Sequence, residues 1–315
     1  MIRLVAQRIA LGLLTVFLVS VLIFAGTEIL PGDVATAVLG QSATPDAVEA
    51  IRRSLGLHEP AIVRYLNWLR AFATGDLGSS LTTGRPVGPV LWVRILNTFF
   101  LAGTAALIAV PLALLLGITT AIFRNSIYDR LANVMGLAAI SLPEFFVGYL
   151  LILLFSVQMD WFPSLAMVSP GMGLRDRLDA IALPTATLVL AVLAYMMRMT
   201  RTAVLDVMSH PYIEMALLKG VPPARLVLQH ALPNALAPIV QVVAFNLAYL
   251  VVGVVLVEVV FVYPGVGQFL VDAVSKRDVP VVQACGLVFG MTYVALNVFA
   301  DILVILINPR LRYAR

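Results

Sequence analysis

Six stretches of this chain, near residues 9–29, 96–122, 131–157, 181–200, 235–260 and 282–307, are long, apolar and almost free of charge. Crossing a hydrocarbon core of about 30 Å takes roughly 20 helical residues, so each stretch predicts a transmembrane helix. The composition agrees, with 61% hydrophobic residues, 12% charged residues and a mean hydropathy of +0.99. These values lie far from those of a soluble domain. An all-α, polytopic membrane protein with six spans follows, forming one transmembrane domain over residues 1–315. The first run follows Arg3 and Arg8 as a signal peptide would, but it is too long and lacks a small-x-small cleavage site, so it reads as a retained helix.

Orientation comes from the basic residues beside the short loops. With the N-terminus inside, the cytoplasmic side collects Arg3, Arg8, Arg124, Arg130, Arg198, Arg201, Lys219, Arg225, Arg310, Arg312 and Arg315, opposed only by Asp129, Asp206 and Glu214. Both termini are therefore expected in the cytoplasm. The pI of about 9.4 reflects this topology, and no basic cluster points to nucleic acid. The sole cysteine, Cys285, excludes an intrachain disulfide and reads as a small buried hydrophobe.

Residues 31–95 form an external segment in this topology. Thr44 caps a helix with Pro45 in its first turn and Val48, Ile51 and Leu55 along its stripe, ending at Gly56. Pro60 opens a second, with Ile62, Leu66, Leu69 and Phe72 on one face and Gly75 as its stop. The pair reads equally as a docking platform for an external partner or as a cap at the membrane interface, where Tyr65, Trp68 and Trp92 suit the headgroup level. Prolines at 111, 143, 184 and 238 fall inside or at the edge of spans and predict kinks.

Polar side chains in the spans are the pathway candidates: Glu144, Gln241, Asn246, Glu258, Asn297 and Asp301. A charge at the bilayer centre costs at least about 2.5 to 3.5 kcal/mol, so Glu144 should face protein or water. Glu258 and Asp301 sit nearer the interfaces, where a structural pairing is the cheaper reading. Gln241, Asn246 and Asn297 also suit plain interhelical hydrogen bonds.

The main polar interruption, residues 201–233, lies on the cytoplasmic side. Ser209 or His210 can cap a short helix with Pro211 in its first turn, and Gly220 can close it in the left-handed conformation. Tyr212, Met215, Ala216 and Lys219 fall on one face of that helix, an apolar stripe outside the bilayer that calls for a partner surface. Reactive chemistry is missing. The chain has no P-loop lysine motif, His58-Glu59 lacks the second histidine of a zinc protease helix, Pro264-Gly265-Val266-Gly267 lacks the third glycine of a dinucleotide turn, and no G-x-S-x-G elbow occurs. A non-catalytic chain with no metal site is expected.

Glu214-Met215-Ala216-Leu217-Leu218-Lys219-Gly220, followed by His230-Ala231-Leu232-Pro233, resembles the "EAA" motif of ABC importer permeases. Met215 stands for an alanine and His230 for an aliphatic residue, with the spacing kept. Leu30-Pro31-Gly32-Asp33, Arg64-Tyr65-Leu66, Gly75-Asp76-Leu77-Gly78, Thr83-Gly84-Arg85-Pro86-Val87, Tyr263-Pro264-Gly265-Val266-Gly267, Arg277-Asp278-Val279-Pro280 and Asn308-Pro309-Arg310 extend the resemblance to the B-type permeases of dipeptide, oligopeptide and nickel importers. That resemblance implies the type I importer fold in a bacterial inner membrane, a second homologous permease, two cytoplasmic subunits that bind ATP and Mg, and an external binding protein. It implies a coupling helix at 211–219, with Tyr212, Met215 and Leu218 buried in an ATPase groove, Ala216, Leu232 and Pro233 in the same motif, Glu214 orienting the loop by hydrogen bonding and Gly220 permitting its turn. Peptides are the expected cargo. Nickel, glutathione or opine-like solutes are the alternatives, and a transporter or channel working alone is the competing class.

Overall fold

The computed structural model describes residues 2–29, 44–54, 56–169 and 171–307, and its regular elements are all helical. In chain order they are α1 (Ile2–Ile29), α2 (Pro45–Ser54), α3 (Ala61–Ala73), α4 (Val87–Ile122), α5 (Ile127–Ser141), α6 (Glu144–Gln158), α7 (Leu174–Ala180), α8 (Ala182–Met208), α9 (Pro211–Leu218), α10 (Pro223–Val260), α11 (Val266–Ser275) and α12 (Val279–Ile307). Five of these, α1, α4, α8, α10 and α12, are single helices long and apolar enough to cross a membrane. The bent pair α5 and α6, counted as one span, makes six. Leu30-Pro31-Gly32-Asp33, Leu55 and Asn308-Pro309-Arg310 lie outside the described residues.

The third span departs most from expectation. Pro143 does not kink one helix; the chain breaks there, and α5 and α6 meet at 101°. Leu142 is extended, at φ −92° and ψ 132°, because a proline ring disfavours helical backbone in the residue before it. Pro143 then starts the new helix by offering its carbonyl to the Phe146 and Val147 amides. Pro184, in contrast, sits in the first turn of α8, where its missing N–H costs nothing, while Pro111 and Pro238 lie inside α4 and α10.

Several spans outrun their apolar runs. α8 continues to Met208 and α10 begins at Pro223, so only residues 209–222 of the polar interruption stand outside these two helices. α10 widens to π-helix over Leu226–Ala231, just ahead of Pro233. A proline leaves the carbonyl one turn earlier without its donor, and a wider turn relieves that clash. The Asn234 side-chain amide donates to the His230 carbonyl at 2.9 Å in the same turn.

Packing is organised in three apolar clusters along α4. At one end, Val87 and Leu91 meet Val266 of α11 and Val281 of α12. Near the middle, Leu101 and Ala105 meet Val189 and Val192 of α8 and Val254 of α10. At the far end, Ala121 meets Val204 and Val207 of α8, Ile213 of α9 and Ala231 of α10. α4 and α8 approach so closely that a Cβ on Gly117 would stand 2.7 Å from Thr200 Cβ, so only glycine fits the crossing.

Buried polar clasps fix the connections. Asp129, at the start of α5, receives two hydrogen bonds of 2.8 Å from Arg201 of α8, and Asn125 N–H and Asn133 Nδ2 donate to it at 2.9 and 2.8 Å. Asp278 accepts from Ser80 Oγ at 2.5 Å, Thr82 Oγ1 at 2.9 Å and Leu81 N–H at 3.1 Å, which pins the Ser80–Arg85 turn to the start of α12. α3 lies on α1 through the Arg64 pair to Glu28, at 2.7 and 2.6 Å, and through Tyr65 and Trp68 against Phe24. Trp92 remains exposed.

Candidate functional site

α9 is anchored on one face and bare on the other. Ile213 is 2% exposed and sits in the far-end cluster, and Ala216 packs against the same cluster. Met215 is 56% and Leu218 75% exposed, with Tyr212 and Leu217 also turned outward. The inward face is therefore Ile213 with Ala216; of the expected stripe, Tyr212, Met215 and Lys219 are exposed, and Ala216 alone packs inward. Sequence reasoning missed Ile213 because every position from 215 to 218 is apolar too, leaving no contrast to mark the anchor.

The ends of α9 follow from turn chemistry. His210 occupies the N-cap position in extended backbone but makes no side-chain cap; Ser209 Oγ instead donates back to Asp206, closing α8. At the other end Gly220 has φ +82°. Its N–H donates to the Leu217 carbonyl at 2.9 Å and Val221 N–H to the Ala216 carbonyl at 3.3 Å, the paired bonds of a Schellman motif. Val221 packs with Ala216 in the same cluster, completing the stop. Glu214 is exposed, and among the described residues its carboxylate makes no hydrogen bond, so an orienting bond within this chain is not present. Leu232 is half-buried against the cluster, and Pro233 is exposed. Tyr212 Oη accepts from Asn234 Nδ2 at 3.1 Å, tying α9 to the start of α10.

The six pathway candidates separate into different environments. Glu144 and Asn246 line one cleft of about 580 Å³ between α5, α6, α8 and α10. Tyr249 donates a short hydrogen bond to Glu144 Oε1, while Glu144 Oε2 is buried with no partner. Asn246 spends its amide N–H on the Val242 carbonyl at 2.8 Å. Gln241 is exposed on α10, and Asn297 donates to Tyr293 of its own helix at 2.8 Å. Asp301 pairs with Arg8 of α1 at 3.1 Å, which is the structural pairing expected of it.

Glu258 takes the structural alternative, with hydrogen-bond donors in place of a paired cation. It is 0% exposed, and its carboxylate accepts from Thr98 Oγ1 at 2.6 Å, Gly267 N–H at 2.7 Å and Gln268 N–H at 3.1 Å. An acceptor on the free amides of a first helical turn is a cap, so Glu258 holds the N-terminus of α11. The glycines of Tyr263-Pro264-Gly265-Val266-Gly267 are explained by the same contact: a Cβ on Gly265 would fall 1.9 Å from Glu258 Oε1, and one on Gly267 would fall 2.6 Å from Val255 Cα. Around it, Arg94 donates to the Gly265 carbonyl at 3.1 Å, Asn97 to the Pro264 carbonyl at 2.9 Å, and Tyr263 Oη to the Asn97 carbonyl at 2.8 Å. Burial pushes the Tyr263 phenol up to about 12, which keeps its hydroxyl a donor even in strongly basic solution.

Comparison with known proteins is specific about the family. Residues 113–313 match the family described as "Binding-protein-dependent transport system inner membrane component", and residues 1–94 match its N-terminal companion family. The glutathione transport system permease protein GsiC of Escherichia coli O6:H1 is 38% identical over 99% of this chain and its own full length. Its counterparts from Escherichia coli K12 and Salmonella typhimurium are 37% and 36% identical over the same share. With both family matches falling on the spans and the hairpin, this chain belongs to the binding-protein-dependent transport family, as an inner-membrane permease component of an ABC importer.

Proposed function

We propose that this chain is one of two permeases in an ATP-driven importer of short peptides, with glutathione, a tripeptide, as the first cargo to test. The observation that carries the reading is the bare apolar face of α9, held rigid by the Ile213 anchor and the Gly220 stop. Met215 and Leu218 cost solvation as they stand, and burying each in a groove of an ATP-binding subunit contributes about 1.5 to 3 kcal/mol. ATP and Mg belong to those subunits, and their stroke reaches the bundle through the cluster in which Ile213 meets α4, α8 and α10. The hairpin end faces the cytoplasm on this reading, supported by Arg124, Arg130, Arg198, Arg201, Lys219 and Arg225 near it, and both termini lie on that side. α2 and α3 then stand outside, where a binding protein delivers cargo. The similarity to glutathione permeases favours glutathione, while the wider family resemblance keeps other peptides, nickel and opine-like solutes in view.

The test is reconstitution. Co-expressed with a second permease, two ATP-binding subunits and a binding protein, the chain should copurify as a complex and import labelled glutathione or dipeptides into liposomes only when ATP is supplied on the hairpin side. Transport by the chain alone, without ATP or any bound ATP-binding subunit, would establish the stand-alone transporter instead.

A further inference from the structure

The break at Pro143 delivers into the bundle a carboxylate that makes no ion pair among the described residues. Glu144 is the first residue of α6, and its two oxygens have different fates. Oε1 accepts from Tyr249 of α10, whereas Oε2 is buried without a hydrogen-bond partner. The surrounding cleft of about 580 Å³ has aromatic walls in Phe145, Tyr195 and Phe245, and no described residue that lines it is basic. Gly253 keeps the space beside the carboxylate open, since a Cβ there would stand 3.6 Å from Oε2 and 3.3 Å from the Tyr249 ring.

An uncompensated carboxylate within a span is costly, and a buried acceptor without a donor adds to that cost. Elsewhere in this chain buried acids are saturated: Asp129, Glu258 and Asp278 each accept at least three hydrogen bonds. Glu144 is the exception: among these four described carboxylates it alone has a buried oxygen without a donor, and it too lines a cleft. A single anionic acceptor in a cleft lined by aromatic side chains is the chemistry that recognises an organic ammonium group, through one charge-assisted hydrogen bond and the attraction of a cation to aromatic rings.

We propose that Glu144 Oε2 receives the primary ammonium group of the solute as it passes through the bundle, with Tyr249 holding the carboxylate in place. This rests on the importer reading and assigns that reading a solute contact and a charge preference. Tyr249 acts as a positioning residue, since its hydroxyl fixes Oε1 and leaves Oε2 as the contact.

The experiment uses the assembled complex in liposomes, with a tripeptide bearing a free amine and its N-acetyl counterpart as probes. Dicyclohexylcarbodiimide modification of Glu144 in the wild-type complex is followed by mass spectrometry. Saturating free-amine tripeptide is expected to slow it, and the N-acetyl form is not. Glu144→Gln should cut free-amine uptake about tenfold or more, the scale of one charge-assisted hydrogen bond, with Glu144→Asp recovering part of it. The proposal is overturned if Glu144 is labelled equally fast with and without tripeptide, if Glu144→Gln imports the free-amine probe as the wild type does, or if Glu144→Gln lowers both probes equally. Loss of complex assembly in Glu144→Gln would leave the labelling of the wild-type complex as the deciding measurement. Failure of the wild-type complex to import anything on ATP tells against the importer reading itself, whereas import with unprotected Glu144 tells against this site alone.

Discussion

At Glu258 a single side chain serves three elements, since Thr98 of α4, Glu258 of α10 and the first turn of α11 meet on one carboxylate. Replacing it by alanine leaves the Gly267 and Gln268 amides buried without an acceptor, so Glu258→Ala should cost at least about 3 kcal/mol, read as a fall in thermal stability of the purified permease in detergent. An unchanged melting temperature would show that water takes over the cap. Gly220 poses the opposite case. A Cβ there meets nothing within 4 Å, so the only obstacle to a side chain is its φ of +82°. Gly220→Val should therefore strain the turn by about 1 to 2 kcal/mol and weaken ATP-coupled uptake, while Gly220→Asn, which tolerates the left-handed region, should keep most of it. Equal uptake by Gly220→Val and wild type would remove the stop from the coupling machinery. Nearness to an interface pointed to a structural role for Glu258 but did not name its partners. Its partners come from residues 98, 267 and 268, and no local pattern announces a contact closed across that separation.

Among elements, α9 separates what a sequence encodes locally from what packing decides. Its ends were legible because Pro211 and Gly220 carry backbone chemistry of their own, and the structure ends the helix where they require. Its orientation was not legible, because an apolar face for a partner and an apolar face for the bundle look alike in a short helix. The difference is testable by comparing the stability of the lone chain with its capture of ATP-binding subunits. Ile213→Ala removes buried atoms and should lower stability by about 2 to 4 kcal/mol. Leu218→Ala, at a side chain 75% exposed, should leave thermal stability unchanged and reduce copurification of ATP-binding subunits. If Leu218→Ala destabilised the lone chain as much as Ile213→Ala, the outward face would be part of the bundle and the docking reading would fail. α5 and α6 teach a related lesson. Pro143 announced a bend, but a bend of 101° also reflects where Asp129 and Glu144 are held, by Arg201 and Tyr249 on other helices.

Across the whole molecule the polar contacts are unevenly placed. Where α4 begins, a hydrogen-bond lattice of Arg94, Asn97, Glu258 and Asp278 locks α11 and α12. Where α4 ends, apolar packing dominates and α9 rests on it, with the Asp129–Arg201 pair fastening the broken span to α8. Hydrogen-bond lattices have one register, whereas apolar surfaces permit small sliding shifts, so the second end is the one suited to transmit a stroke. The ion pair then becomes the fixed point of the moving end. Arg201→Met leaves Asp129, at 4% exposure, buried without its cation and should destabilise the permease by about 3 to 5 kcal/mol, whereas Asp129→Asn with Arg201→Met removes both charges and should recover a large part of that loss. Thermal unfolding of the two single variants and the double variant reads the coupling directly. If the losses simply add, the two residues do not act as a pair, and α5 must be held to α8 by its apolar contacts alone.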